Sequence, residues 1–398
     1  AVKEIKLDDR KLTFEVPTAK ASFSGTPIAE GTKVNGEWKG GVTLPLTLKK
    51  VDKPLVLVRP QTPSKPYPYR EDEVKFDNKP AKVRLSGTLT LPKGDGPFPL
   101  AILISGSGPQ DRDESLLGHK PFLVLADHLS RNGVAVYRYD DRGTFQSTGD
   151  FKSATTKDFA SDVEAILAEI KHRKEIDPKK IGLIGHSEGG VIAPMVAAES
   201  KDVAFIVLLA GTGMPGDELL MMQSRAIVKA MGLPDVMIDR SMKLNKSLYA
   251  LIREDADEEK LKAAGKEYFN GLTAVERALA GTAGEEQIDR AIKQVSSPWM
   301  RFFIKHDPRT SLKKVKCPVL AVNGELDLQV PPKENLAAIA DALKEGGNKD
   351  VTTQAFPKLN HLFQTCKTGL PSEYGTIEET FSPDVLETVR KWIQERTK

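Results

Sequence analysis

Cysteine is nearly absent from this chain of 398 residues, with only Cys317 and Cys366 present. That excludes a disulfide framework and a cysteine zinc cluster. It leaves one bridge between the two or a pair of buried free thiols, and the thiols are the expected state. Net charge is small, at +3, and no long basic run occurs. Neither nucleic acid nor an anionic membrane surface is implied as a partner. No apolar run reaches the roughly 18 residues that a membrane span needs. The first residues, Ala1 to Arg10, are charged and lack a signal-peptide core, so the expected location is the periplasm or exterior for a processed mature chain, or else the cytoplasm. No metal-ligand spacing appears, and the chemistry outlined below needs no metal or cofactor. Histidine is scarce too, with six in all, which makes the search for a catalytic base short.

What is present is the balance of a soluble globular protein, 39% hydrophobic and 28% charged, in a chain long enough for one large domain and a smaller one. Lys11–Val16, Ala21–Gly25, Lys33–Trp38 and Val42–Leu48 alternate as short strands between turn signals, which predicts a small antiparallel sheet. The proline-rich stretch Arg59 to Pro68 cannot join a sheet interior and reads as a linker. The expected division is residues 1–68 for the small β domain and linker, and 69–398 for the catalytic domain.

Beyond the linker, Glu73–Phe76 and Val83–Leu91 read as a hairpin-like pair. Apolar strands at Pro99–Ile104, Val134–Tyr139, Ile181–Ile184, Ala204–Leu209, Pro318–Val322 and Val351–Phe356 then alternate with helical segments. Continuous apolar strands separated by helices predict an α/β fold, a mostly parallel sheet with helices on both faces. A helical insertion at about 211–312 is too long for a loop and reads as a lid. Met214, Met221, Met222, Met231, Met237 and Met242 crowd its first third. They suit either an adaptable apolar binding surface or packing of the lid on the core.

The chemistry starts at Gly185-His186-Ser187-Glu188-Gly189. An apolar strand precedes it and a helical run follows, so Ser187 sits on a tight strand-to-helix turn with its hydroxyl lifted clear of the sheet. A serine hydroxyl needs a base beside it. Among the six histidines, His361 is the candidate, because it follows the last strand and so opens at the carboxyl edge with the serine turn. The base in turn needs a carboxylate. Asp327 follows another strand and is the first choice, with Glu325 the substitute. Chain order is then Ser187, Asp327, His361. The glycines of Ser105-Gly106-Ser107-Gly108 let backbone amides approach a ligand, and the amides of Ser107 and Glu188 are expected to hold an oxyanion. A phosphate-binding loop is the weaker reading, because the lysine and hydroxyl of a P-loop are missing.

With these residues, the chain resembles the α/β-hydrolase superfamily, and specifically bacterial serine esterases with a serine-aminopeptidase-like domain. The resemblance rests on Ser105 to Glu114, Tyr139 to Gly143, Gly185 to Gly190, Cys317 to Gly324 and Leu359 to Gln364, in order. It implies the fold, the Ser187–Asp327–His361 triad and the order of its members. There are two departures. Ser105 stands where such enzymes often carry histidine, which leaves the backbone donors intact. Phe145 stands where glycine is usual, so its ring is expected to narrow the site or prop the loop. Asp140, Asp141 and Arg142 are read as a structural ion-pair loop.

Three functions follow for testing. The first is hydrolysis of a small-molecule carboxylic ester through an acyl-enzyme. The second is a peptidase releasing N-terminal residues or dipeptides, with Glu188, Asp217 or Glu218 as partner for the substrate amine. The third, a binding protein on the same fold, is weakest because all three triad members are present. Oligomeric state, acyl-chain length and substrate-binding residues are not legible.

Overall fold

The computed structural model describes residues 2–8, 10–17, 21–40, 42–52, 58–232, 235–273 and 284–398. The chain divides into two units, residues 1–56 with 255–296, and residues 57–254 with 297–398.

The smaller unit holds a five-stranded antiparallel sheet in the order β1 (Lys3–Asp8), β2 (Lys11–Val16), β3 (Ala21–Ile28), β4 (Lys33–Gly40) and β5 (Val42–Lys49). β2 to β5 are the strands expected from alternation. β1 escapes such a reading because all its residues are exposed, so it carries no apolar face.

The larger unit is built on an eight-stranded sheet. Its strands are β6 (Arg70–Asn78), β7 (Val83–Leu91), β8 (Phe98–Ile104), β9 (Ala135–Tyr139), β10 (Ile176–His186), β11 (Phe205–Leu209), β12 (Val319–Gly324) and β13 (Val351–Phe356). Their order is β13-β12-β11-β10-β8-β9-β7-β6. Pairs from β9 to β13 across the sheet are parallel, while β6 and β7 join antiparallel, β7 against β9. The parallel strands read as continuous apolar runs because both faces are covered. Leu100, Ile102 and Ile104 of β8 enter one core, while Ala101 and Leu103 enter the other.

The first core takes in helices α2 (Thr156–Ile170) and α3 (Gly189–Glu199), and the second takes in α1 (Pro121–Arg131). At the start of α2 the Asp158 carboxylate reaches back to the Thr155 amide at 2.9 Å, a reciprocal cap. Between β11 and β12 come α4 (Gly216–Ala230), α5 (Asp235–Arg253), α6 (Glu258–Asn270), α7 (Gly284–Val295), α8 (Pro298–Lys305) and α9 (Arg309–Leu312). α6 and α7 fall in the smaller unit. After β12 and β13 come α10 (Pro332–Glu345), on the first core, and α11 (Pro383–Arg396), on the second.

The proline-rich stretch is tied down where it is described. The Arg59 guanidinium donates to the carbonyls of Leu117, Gly375 and Ile377, and Gln61 bonds Thr380 and Phe381. Both cysteines are free and half-buried.

The loop after β9 carries two buried ion pairs, Arg112 with Asp140 at 2.9 Å and Arg142 with Asp162 at 2.7 Å. Removing one partner strands the other charge in the interior. Arg142→Met is therefore expected to cost about 3–5 kcal/mol, read as a lower urea midpoint. A loss of under about 1 kcal/mol, the scale of a surface pair, contradicts this burial.

Candidate active site

Strand order creates the site. From β8 the chain steps to β9 on one side, then returns to lay β10 on the other. At such a switch point the loops leaving β8 and β10 diverge and open a crevice at the carboxyl edge.

Ser187 occupies the turn from β10 into α3 with φ +52°, in the left-handed region. A residue with a side chain stays there only when its surroundings hold it. Three main-chain bonds do so. Ser187 N donates to Leu209 O at 2.9 Å, Gly190 N to Ser187 O at 2.9 Å, and Val191 N to Glu188 O at 2.8 Å. The flanking glycines permit the close passage. A methyl group on Gly185 would stand 1.9 Å from Gly189 O, and one on Gly189 2.2 Å from Ile104 O.

Asp327 and His361 meet. His361 Nδ1 lies 2.8 Å from Asp327 Oδ2, with both side chains buried. The amides of Gln329 and Val330 donate to Asp327 Oδ1 at 2.8 and 2.9 Å. Asn360 shapes the histidine loop by accepting from the Leu362 and Gln364 amides. The His361 ring stands 4.9 Å, centroid to centroid, from the ring of His186, the neighbour of Ser187.

The loop after β8 brings Ser107 to the same cavity as Ser187 and Glu188. Leu219, Trp299 and Phe303 help to line it. Two neighbouring donors are already engaged, Gly106 N by the Glu114 carboxylate and Ser187 N by Leu209. Among the described residues, the Ser107 and Glu188 amides have no acceptor. No methionine lines the cavity among the described residues. Met242 is buried, Met231 is exposed, and the side chain of Met237 lies outside the described residues.

The buried carboxyl groups were the least legible part. Among the described residues, Asp141 makes no ion pair. It accepts from the Ser105 hydroxyl at 2.7 Å and the Gln110 amide at 3.1 Å, clasping both ends of the β8 loop. Burial pushes its carboxyl well above the usual range, against those two bonds. Glu188 turns its Oε1 to Trp299 Nε1 and Thr156 Oγ1, both at 2.7 Å. Burial pushes it up to about 7, against those two bonds. Glu114, unremarked in sequence, bonds His186 Nδ1 at 2.8 Å. These partners lie 32 to 111 residues apart in sequence, so no local pattern announces them. Phe145 has φ +42°, which accounts for glycine being the ordinary residue there. Its ring is 73% exposed and props nothing.

The sequence model for the serine aminopeptidase family S33 matches residues 120–365. The chain belongs to that family. It is an α/β-hydrolase, with the sheet and helices expected of one. Esterase EstD of Thermotoga maritima is 25% identical over 327 residues, 81% of this chain and 68% of that protein. An uncharacterized 31.7 kDa protein from the traX-finO intergenic region of Escherichia coli is 26% identical over 270 residues, 65% of this chain and 84% of its own length. Among solved structures, hypothetical protein PA2218 of Pseudomonas aeruginosa aligns with a TM-score of 0.51 at 15% identity, over 87% of this chain and 100% of its own, a likeness of fold.

Glu188 provides a stability test with a definite sign. Its pKa is raised on folding from 4.5 to about 7. Between those values the folded state binds more protons than the unfolded one, so stability falls as pH rises. Glu188→Gln removes that titration. Its unfolding free energy relative to wild type is expected to grow by on the order of 1–3 kcal/mol as pH rises through the window. A difference that stays flat with pH contradicts the buried carboxyl.

Proposed function

We propose that the protein hydrolyses carboxylic esters of small molecules through an acyl-enzyme. The observation that supports this best is the buried His361–Asp327 pair, its imidazole 4.9 Å from the ring of His186, the residue before a serine held at φ +52°. A strained turn lifts the hydroxyl, and an oriented imidazole takes its proton.

In this reading Ser187 Oγ attacks the acyl carbon while His361 Nε2 takes the hydroxyl proton. Asp327 fixes the Nδ1–H tautomer and stabilises the imidazolium. Negative charge collects on the former carbonyl oxygen, where the amides of Ser107 and Glu188 are free to donate. Each such donor is worth roughly 3–4 kcal/mol in the transition state. The tetrahedral intermediate then collapses. The alcohol leaves with the proton from His361, and the acyl group stays on Ser187. Water attacks by the same route and releases the acid.

The name of the Thermotoga relative, an esterase, favours ester over amide. So do the candidate partners for a substrate amine. Glu188 Oε1 is taken by Trp299 and Thr156, Asp217 pairs with Arg253 at 3.3 Å, and Glu218 is exposed. Helices α4 and α8 of the insertion supply Leu219, Trp299 and Phe303 to the cavity, which supports a lid role for these two helices.

Ser187→Ala is expected to reduce hydrolysis of short-chain aryl esters to background while the fold is kept. Asp327→Asn is expected to lower kcat by about 10⁴-fold, because the wrong tautomer of His361 then faces Ser187. Steady-state kinetics on p-nitrophenyl esters reads both. Retained turnover in the serine variant, or faster turnover of an aminoacyl anilide than of the ester by wild type, overturns the reading.

A further inference from the structure

His186 sits next to the nucleophile, and both its ring nitrogens face acceptors. Nδ1 lies 2.8 Å from Glu114 Oε1, and Nε2 lies 3.1 Å from the main-chain oxygen of His361. A neutral imidazole has one N–H and one lone pair. In either tautomer the lone pair would point at an oxygen, in a site that is buried on both sides of the pair. Both contacts are hydrogen bonds from the ring when it is an imidazolium paired with Glu114. Burial opposes that charge, but the adjacent carboxylate outweighs it and raises the ring above its ordinary value.

The same Glu114 oxygen accepts the Gly106 amide at 2.7 Å. One carboxylate thus holds the loop after β8 and, through His186, the turn after β10 and the loop after β13. These segments carry Ser107, Ser187 and His361. The Gly106 bond sets the peptide that leads into Ser107 N. The His186 bond fixes the main chain of His361, while Asp327 fixes its ring from the other end. Asp141 clasps the outer parts of the β8 loop, at Ser105 and Gln110, and does not reach the histidine loop.

We infer that Glu114 and His186 are positioning residues for acyl transfer, a buried ion pair that locks the oxyanion loop, the nucleophile turn and the catalytic-histidine loop in register. This rests on Ser187 being the nucleophile. Neither residue touches the reacting atoms. Their effect is on rate, because displacing a reacting group by about 1 Å costs on the order of 10²-fold.

The test compares wild type, Glu114→Gln and Glu114→Ala. Glutamine keeps the size of the side chain and an acceptor for Gly106 but removes the charge that holds the imidazolium. Alanine removes both. Titration with a fluorophosphonate counts reactive Ser187, and its labelling rate reads reactivity per site. Kinetics on p-nitrophenyl butyrate separate kcat from KM.

The expected result is stoichiometric labelling of both variants, a labelling rate and kcat lower by on the order of 10-fold in Glu114→Gln and 10²-fold in Glu114→Ala, and KM within about threefold of wild type. A purely structural role would lower the reactive fraction and leave the rate per reactive site unchanged. That result, or rates within about threefold of wild type in Glu114→Gln, overturns the inference. If alanine unfolds the protein, the isosteric glutamine variant decides. Wild type that fails to label at Ser187 overturns the nucleophile reading instead, so the two failures are told apart. Wild type that labels but does not cleave esters overturns only the choice of substrate, and the labelling rates still decide the role of Glu114.

Discussion

The close approach of three backbone segments at the centre of the large sheet is the constraint on which the site depends. β10 lies between β8 and β11, and the turn leaving it passes within van der Waals contact of both neighbours. A side chain at 185 would run into the turn's own backbone at Gly189, and one at 189 into Ile104 at the end of β8, so glycine stands at both. The contact forces Ser187 into its left-handed conformation and directs α3 away from the sheet. It also sets the oxyanion loop beside the nucleophile turn, where the Glu114 carboxylate bonds Gly106 and His186. Rigid elements therefore hold the reactive geometry, and loops only complete it.

Electrostatics is organised around the same turn. Glu114, Asp141 and Glu188 are buried near it, with the His186 ring facing Glu114. Buried carboxyl groups are costly unless hydrogen bonds or a counter-charge compensate them. Here Gly106 and Gln110 supply amides, Ser105 and Thr156 supply hydroxyls, and Trp299 supplies its indole N–H. The compensating bonds reach three segments, the loop after β8 through Ser105, Gly106 and Gln110, α2 through Thr156 and α8 through Trp299. Satisfying the acids thus fastens the β8 loop, α2 and α8 to the nucleophile turn. The cost of burial is offset by bonds that also restrain the parts most in need of restraint.

Much of the fold was legible because periodicity and burial coincide. Parallel strands covered on both faces appear as continuous apolar runs, and β8, β9, β11 and β12 were readable that way, whereas the edge strand β13 is mostly exposed. β1 was not, because a wholly exposed strand has no face to mark. The pairing of Asp327 with His361 followed from their places after strands, since such loops open at one edge. Glu114, Asp141 and Trp299 were not legible as site neighbours. Their partners are set by tertiary packing, and an acidic residue in an acidic stretch such as Asp111 to Glu114 looks solvated. His186 lies within the nucleophile turn, and that confinement is what lets it bridge two loops. Phe145 shows the converse: a bulky residue in a backbone conformation suited to glycine leads one to expect a packed ring, yet the ring points to solvent.

The central claim is that Ser187, the amides of Ser107 and Glu188, and the His361–Asp327 pair form one acyl-transfer site. A crystal structure of the protein after reaction with a short-chain p-nitrophenyl phosphonate tests it most directly. The account predicts phosphorus bonded to Ser187 Oγ and the phosphoryl oxygen at about 2.7–3.1 Å from both amides, with His361 Nε2 facing the serine oxygen. Phosphorus on another residue, or a phosphoryl oxygen turned away from those amides, would contradict it.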